Sequence, residues 1–230
     1  MTAGAIRAVI LDLDGTLVES AGEIATALAR TFDSFGLAPL PESTVAQMIG
    51  RGVRVLLERA LAQAGATGID VDDAVARFET RYAETVGTRA SLFPGVSAGL
   101  GLLEAHGLPL AVVTNKPRYF TLQLLERLGV ARYFACVVAG DDGYEKKPAP
   151  DMLLAAARSL GAAARDALMI GDSDNDTVAA RAAGCAVWCV RHGYTEGRPA
   201  ESLDCDRLVD TVEEAARILV SRDVRAAARS

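Results

Sequence analysis

Short apolar runs alternate with stretches of helical periodicity along most of the chain. The β-rich runs lie in "RAVILDL", "LPLAVVTN", "FACVVAG", "ALMIGDS" and "AVWCVRHG". Such alternation predicts parallel strands joined by helices. The runs are apolar throughout, which is typical of strands that are covered on both faces. The pattern therefore predicts an α/β fold built on a parallel sheet.

One long interval interrupts this alternation. Between Thr16 and Phe93 no strand is indicated, and apolar residues recur with helical spacing at Ile24, Leu28, Phe32, Val53, Leu56, Leu57, Leu61, Val75, Phe78 and Tyr82. Helices packed on one face of a single domain would give the same periodicity, but this length is unusual for an ordinary crossover. We therefore expect an all-helical cap domain at residues 17–89, inserted into a core formed by residues 1–16 and 90–230.

Composition narrows the class of partner. Half of the residues are hydrophobic, 23% are charged and the net charge is -6, as in an ordinary globular protein. No run of Lys and Arg could bind a nucleic-acid backbone, and no apolar segment is long enough to cross a membrane. The four cysteines stand singly, and His106 and His192 lie far apart. This spacing disfavours zinc and predicts reduced thiols in a cytoplasmic protein.

Polar residues follow four of the predicted strands. They are Asp12 with Asp14, Thr114 with Asn115, Lys147, and Asp172 with Asp176. Because ligands bind beyond the carboxyl ends of parallel strands, we expect these residues to converge on one crevice. The acidic stretch "GDSDND" is not a calcium loop, since Thr177 replaces the required glycine. Several carboxylates that meet a phosphate suit magnesium instead.

The clustered carboxylates require a positive partner. Two like charges about 4 Å apart cost about 4 kcal/mol at an effective dielectric constant of 20, and an incoming phosphate would increase this repulsion. A divalent cation together with Lys147 turns this repulsion of the phosphate into attraction. Asp12 is then the expected nucleophile, which forms an aspartyl-phosphate, and Asp14 is the expected general acid and base.

Three further residues are expected to contact the phosphoryl group or to shape its site. Gly15 permits a tight turn directly after Asp14. Thr114 and Asn115 lie at a strand end that leads into a helix, where they can donate hydrogen bonds to phosphoryl oxygens.

The segments "DLDGT", "VVTNK", "KPAP" and "GDSDND", in this order, resemble the four motifs of the haloacid dehalogenase-like superfamily, and the resemblance spans nearly the whole chain. It implies a Rossmann-like core with a mobile helical cap. The magnesium ligands that it implies are Asp12, the backbone carbonyl of Asp14, and Asp172, with Asp176 and Ser173 in supporting positions. It also assigns phosphate binding to Thr114 and Lys147, the latter preferred over Lys146 because of the prolines that follow.

Other stretches resemble the bacterial phosphoglycolate phosphatases within this superfamily, among them "IGRGVRVLLERAL" and "RHGYTEGRP". Dehalogenases lack an acid equivalent to Asp14, so Asp14 indicates phosphate ester chemistry. The expected substrate is 2-phosphoglycolate, with Arg51, which two glycines flank, near its carboxylate; a solvated helix start is the competing interpretation of Arg51.

Several alternatives remain open at this point. The substrate could be another small phosphorylated metabolite, such as a sugar phosphate or a nucleotide, and a phosphomutase of the same superfamily would carry the same motifs. A non-enzymatic binding module would be expected to have lost Asp12 or Asp14, and both are present. The sequence allows either a monomer or a homodimer.

Overall fold

The computed structural model describes residues 6–227. Its strands are β1 (Ala8–Leu11), β2 (Val18–Glu19), β3 (Ser91–Leu92), β4 (Leu110–Val113), β5 (Phe134–Val138), β6 (Ala167–Gly171), β7 (Ala186–Val190) and β8 (Arg207–Val209). Its α-helices are α1 (Ala21–Asp33), α2 (Glu42–Ala46), α3 (Val53–Gln63), α4 (Val71–Thr85), α5 (Val96–Ala105), α6 (Arg118–Arg127), α7 (Asp151–Ser159), α8 (Asp174–Ala183) and α9 (Val212–Ala227).

Six strands form a parallel sheet in the order β5-β4-β1-β6-β7-β8. This confirms the predicted α/β fold. β1 lies between β4 and β6, so the chain leaves β1 toward one side of the sheet and later returns on the other. In an open α/β sheet such a reversal creates a crevice at the carboxyl ends of the strands. β8, a three-residue edge strand that begins with the exposed Arg207, was not among the strands predicted from the sequence.

Alternate residues of the central strands pack on opposite faces of the sheet. Val9 and Leu11 join the hydrophobic cluster that contains α5 and α9, whereas Ala8 and Ile10 join the cluster that contains α7 and α8. All four residues are fully buried. Burial on both faces explains why the run in β1 has no polar position.

The helical segment between β2 and β3 packs around α1 and α4, and Phe32, Phe78 and Tyr82 are buried between its helices. Asp70 begins α4 by accepting a hydrogen bond from the backbone amide of Asp72 at 3.0 Å, which satisfies one free N–H of the first turn. No helix within residues 6–227 combines the length and the apolar character that crossing a membrane requires.

The expectation that no strand lies between Thr16 and Phe93 was wrong for two short segments. β2 and β3 pair antiparallel where the chain enters and leaves the helical segment, with Val18 opposite Leu92. Two residues are too few to show the alternation by which a strand is recognised in sequence.

Candidate active site

Neighbouring strand ends bring three carboxylates together. Asp12 follows β1, and its backbone amide donates to Ile170 of β6 at 3.0 Å. Asp172 follows β6, and Asp176 lies in the first turn of α8. One oxygen from each of the three carboxylates lies within 4.8 Å of the others, and all three side chains are buried. The predicted convergence of these residues is therefore present in the structure.

Lys147 neutralises part of this charge. Its ammonium group contacts Asp12 Oδ1 at 2.8 Å and Asp176 Oδ1 at 2.7 Å, and it donates to the carbonyl of Val113 at 2.9 Å. All three of its protons thus have an acceptor. Burial disfavours the charged ammonium, but Asp12 and Asp176 outweigh burial and raise the pKa of Lys147. Lys147 is therefore a permanent cation beneath Asp12.

A single lysine does not balance the carboxylates. Burial raises the pKa of Asp12 to about 7, even though Lys147 lowers it, and the charge of Asp176 adds to the rise. Burial, followed by Asp176 and Asp12, raises the pKa of Asp172 well above its usual range. The raised pKa values reflect an excess of buried negative charge, and hard oxygen donors in such a cluster fit a divalent ion such as magnesium.

Asp176 and Ser173 fix the loop that carries Asp172. They form a capping box at the start of α8, in which Asp176 Oδ2 accepts from the backbone amide of Ser173 at 3.1 Å and from its hydroxyl at 2.9 Å. The same oxygen accepts from the amide of Asp172 at 3.2 Å. Because its other oxygen contacts Lys147, both oxygens of Asp176 have donors within the protein.

Asp172 lies between two glycines. Its oxygens accept from the Thr16 hydroxyl at 3.0 Å and from the Tyr194 backbone amide at 2.8 Å. A Cβ on Gly15 would lie 2.8 Å from Asp172 Cγ, and a Cβ on Gly193 would lie 2.6 Å from the same atom. Gly15 also has a φ of 87°, a conformation that favours glycine. The turn at Gly15 was predicted from the sequence, but its contact with Asp172 was not.

Asp14 has a partner that the sequence analysis missed. Lys116 Nζ contacts both carboxylate oxygens of Asp14 at 2.8 Å, and the Ser20 hydroxyl donates to Asp14 Oδ1 at 2.6 Å. Lys116 is buried, and its Nζ lies 5.0 Å from the centroid of the Tyr82 ring. Its place directly after Thr114 and Asn115, at a predicted strand end, was a signal that could have identified it.

The side chain of Asn115 is engaged within the protein. Its amide donates to the carbonyls of Gly50 at 2.9 Å and Lys147 at 2.8 Å, and its oxygen accepts from the amide of Lys147 at 2.9 Å. These bonds fix the backbone of Lys147 and engage both polar atoms of the Asn115 side chain. The Thr114 hydroxyl accepts from the amide of Lys116 at 3.2 Å.

A cavity lies between the strand ends and the helical segment. The core contributes Asp12, Asp14, Thr114, Asn115 and Lys116, and the helical segment contributes Ile24, Ile49, Gly50, Gly52, Val53, Leu56, Phe78 and Tyr82. The floor is therefore polar and charged, whereas the opposite wall is mostly apolar. Such a site can bind an anionic group at one end and exclude water at the other.

Arg51 does not lie at this cavity. Its guanidinium donates to Glu196 Oε1 at 2.8 Å, and Arg59 donates to Glu196 Oε2 at 3.1 Å. Burial tends to raise the pKa of Glu196, but the two arginines outweigh it and lower that pKa. The expected approach of Arg51 to the crevice is thus replaced by an ion pair between the helical segment and the loop after β7.

A parallel sheet with a helical insertion after β1 and buried aspartates beyond its central strands defines a hydrolase of the haloacid dehalogenase type. The family model of the haloacid dehalogenase-like hydrolases matches residues 9–190, and the chain belongs to this family.

The chain is 46% identical to the plasmid phosphoglycolate phosphatase of Cupriavidus necator over 208 aligned residues. The aligned region covers 90% of each protein. A crystal structure described as a predicted phosphoglycolate phosphatase from Haemophilus somnus matches with a TM-score of 0.87 and 30% identity over 93% of this chain and 97% of that chain. CbbY from Rhodobacter sphaeroides, solved in complex with phosphate, matches with a TM-score of 0.77 and 26% identity over 91% and 96%. These similarities support a phosphatase.

Proposed function

We propose that the protein is a magnesium-dependent phosphatase that hydrolyses 2-phosphoglycolate to glycolate and inorganic phosphate. The observation that carries this proposal is the buried cluster of Asp12, Asp172 and Asp176 with Lys147, of which Asp12 lines the cavity. The choice of substrate rests on the similarity to phosphoglycolate phosphatases over most of the chain.

In the proposed reaction a carboxylate oxygen of Asp12 attacks phosphorus and forms an aspartyl-phosphate. The phosphorus–ester bond breaks, its electron pair stays on the glycolate oxygen, and Asp14 donates a proton to that oxygen. Asp14 then removes a proton from a water molecule, which attacks the aspartyl-phosphate. The second step releases inorganic phosphate and restores both aspartates.

The proposed magnesium ligands are the carboxylates of Asp12 and Asp172 and the backbone carbonyl of Asp14. Asp176 and Ser173 hold the Asp172 loop through the capping box. When bound, magnesium would supply positive charge against the carboxylates and the phosphoryl oxygens.

The phosphoryl oxygens are proposed to bind to the Thr114 hydroxyl, the Asn115 backbone amide and Lys147. Lys147 would exchange one of its present acceptors for a phosphoryl oxygen, because its three protons are engaged. Gly15 supports this site by leaving space beside Asp172.

Residues 17–89 are proposed to act as a mobile cap on the core of residues 1–16 and 90–230. The cavity is lined from both parts, so closure would exclude water during phosphoryl transfer. Small-angle scattering should show a more compact protein with magnesium and a phosphate analogue than without them. An unchanged scattering curve would contradict the closure.

Another small phosphorylated metabolite is the second candidate substrate, because CbbY, a mutant of which was solved in complex with xylulose-(1,5)bisphosphate, shares the fold. A phosphomutase would also use Asp12 and Asp14 but would have to retain a bisphosphorylated intermediate. A cytoplasmic location and a monomeric or homodimeric state stay predictions. The four cysteines of the structure are free thiols.

Phosphate release from a panel of small phosphate esters tests the function. We expect the highest kcat/KM with 2-phosphoglycolate, loss of activity with a chelator and recovery with magnesium. Asp12→Asn should lower kcat by at least about 10⁴-fold, as losses of catalytic nucleophiles do. The matched control is Asp204→Asn, which changes an exposed carboxylate paired with Arg181. Hydrolysis at the wild-type rate by Asp12→Asn would refute the mechanism, and preference for a sugar phosphate would refute the substrate.

A further inference from the structure

The cavity contains a single cationic side chain in its lining. All of its lining residues belong to the described part of the chain, and among them only Lys116 carries a positive charge. The opposite wall consists largely of Ile24, Ile49, Val53, Leu56 and Phe78, which offer no hydrogen bond. A substrate with a second anionic group would therefore meet its counter-charge at Lys116.

The position of Lys116 is fixed by its own backbone. Its amide donates to the Thr114 hydroxyl at 3.2 Å, and its carbonyl accepts from the amide of Gly140 at 3.0 Å. A Cβ on Gly140 would lie 2.7 Å from the carbonyl carbon of Asn115, so the two backbone segments pack closely. The stem of Lys116 thus leaves a rigid segment and is directed toward Asp14, where its side chain is only 5% exposed.

The ammonium group of Lys116 has capacity for a ligand. Two of its protons are directed to the oxygens of Asp14. The third has no acceptor among the described side chains, and Nζ lies 5.0 Å from the centroid of the Tyr82 ring. A lysine ammonium can donate to three acceptors, so it can keep a contact with Asp14 and bind a ligand oxygen as well.

We propose that Lys116 is the specificity-determining residue that binds the carboxylate of the substrate. This inference rests on the proposed function and identifies the residue that selects the substrate. In 2-phosphoglycolate the carboxylate is joined to the ester oxygen through one methylene group. Asp14 is the proposed proton donor to that oxygen, and Lys116 Nζ lies 2.8 Å from both carboxylate oxygens of Asp14. The ammonium group therefore lies where a carboxylate one methylene away from the ester oxygen would be.

A neutral ester gains nothing from this arrangement. A carboxylate that is enclosed by the apolar wall without a cation would lose its hydration and gain no compensating interaction. Lys116 therefore discriminates between charged and neutral substrates by its charge as well as by its contact. Arg51, the residue expected from the sequence to bind the carboxylate, is the competing candidate, and the same experiment separates the two.

The test compares binding of 2-phosphoglycolate with that of 2-hydroxyethyl phosphate, its neutral counterpart, by calorimetry with magnesium. An Asp12→Asn background prevents turnover. We expect Lys116→Met to weaken binding of 2-phosphoglycolate about 100-fold, the scale of losing one partner of a buried charge pair, and to change binding of the neutral ester by less than about 3-fold. Lys116→Arg should retain part of the preference. The matched control, Arg165→Met, removes an exposed cation that does not line the cavity and should change neither affinity.

The outcomes are distinguishable. Equal weakening of both esters by Lys116→Met would overturn the role of Lys116, as would an Arg51→Ala protein that alone loses the preference. If the wild-type protein fails to hydrolyse 2-phosphoglycolate, the proposed function is wrong, and the assignment to Lys116 falls with it. Thermal melting of each variant reports folding, and Lys116→Arg retains the charge if the methionine variant unfolds.

Discussion

Replacing Gly193 by Ala would place a methyl group against Asp172. The new Cβ would lie 2.0 Å from Asp172 Cβ, 2.5 Å from its Oδ2 and 2.6 Å from its Cγ. Carbon atoms pack favourably at about 3.5 Å or more, so either Asp172 or the loop after β7 has to move by about 1.5 Å. Overpacking of this kind costs about 1–3 kcal/mol of unfolding free energy. A displacement of about 1 Å at a reacting site can lower the rate about 100-fold.

Two measurements check this prediction. Urea unfolding should show the loss of about 1–3 kcal/mol, and activity assays should show a lower kcat together with a higher magnesium concentration for half-maximal rate. The matched control is Gly101→Ala in α5, where a Cβ meets nothing within 4 Å. Because glycine is unfavourable inside a helix, this control should gain about 0.5–1 kcal/mol.

The reasoning would be refuted by a Gly193→Ala protein that keeps the wild-type unfolding midpoint and magnesium requirement. Such a result would mean that Asp172 and the loop after β7 are not in the close contact that the structure shows. A stability loss with unchanged catalysis would separate the packing of Asp172 from its proposed role in metal binding.

Three further predictions concern charge and hydrogen bonding around the cavity. Burial raises the pKa of Asp12 from 3.8 to about 7, so the folded protein binds this proton more tightly than the unfolded chain does. The metal-free protein should therefore lose up to about 4 kcal/mol of unfolding free energy as the pH rises from about 4 through 7. Magnesium should remove this loss in thermal melts, and a melting temperature that does not change with pH in the presence of a chelator would contradict the prediction. Glu196→Gln should weaken the ion pairs of Glu196 with Arg51 and Arg59 and lower the unfolding free energy by less than about 2 kcal/mol in all. Hydrogen exchange in α3 should become faster, and unchanged exchange would show that these ion pairs do not restrain the helix. Tyr194→Phe removes the acceptor for the backbone amide of Ser20 and should cost about 1–3 kcal/mol in urea unfolding, whereas an unchanged midpoint would show that water replaces it.

Local patterns revealed the sheet and most of the acidic cluster. β1, β4 and β6 are fully buried, so their sequences are continuous apolar runs, and the residues that follow each run mark the carboxyl ends at which ligands bind. β8 could not be predicted because its three residues, one of which is an exposed arginine, form no continuous apolar run.

The missed features depend on long-range pairs. A lysine after a strand usually lies in solvent, and Lys116 is buried because Asp14, 102 positions earlier, supplies its counter-charge. Arg51 has flanking glycines that predict a loop, but Glu196, 145 positions later, determines where its guanidinium lies. No periodicity or spacing encodes either partner.

The pairing of β2 with β3 bears on how such enzymes diversify. Both ends of the helical segment lie side by side, since Val18 is opposite Leu92 and Glu19 is opposite Ser91. Antiparallel neighbours can be joined by a turn of about two residues, so the core could accept a tight Asn-Gly hairpin or an unrelated insert at this point without rebuilding the sheet. The β2–β3 pair is thus a position at which one insert could replace another, so that substrate selectivity changes while the catalytic aspartates of the core stay in place.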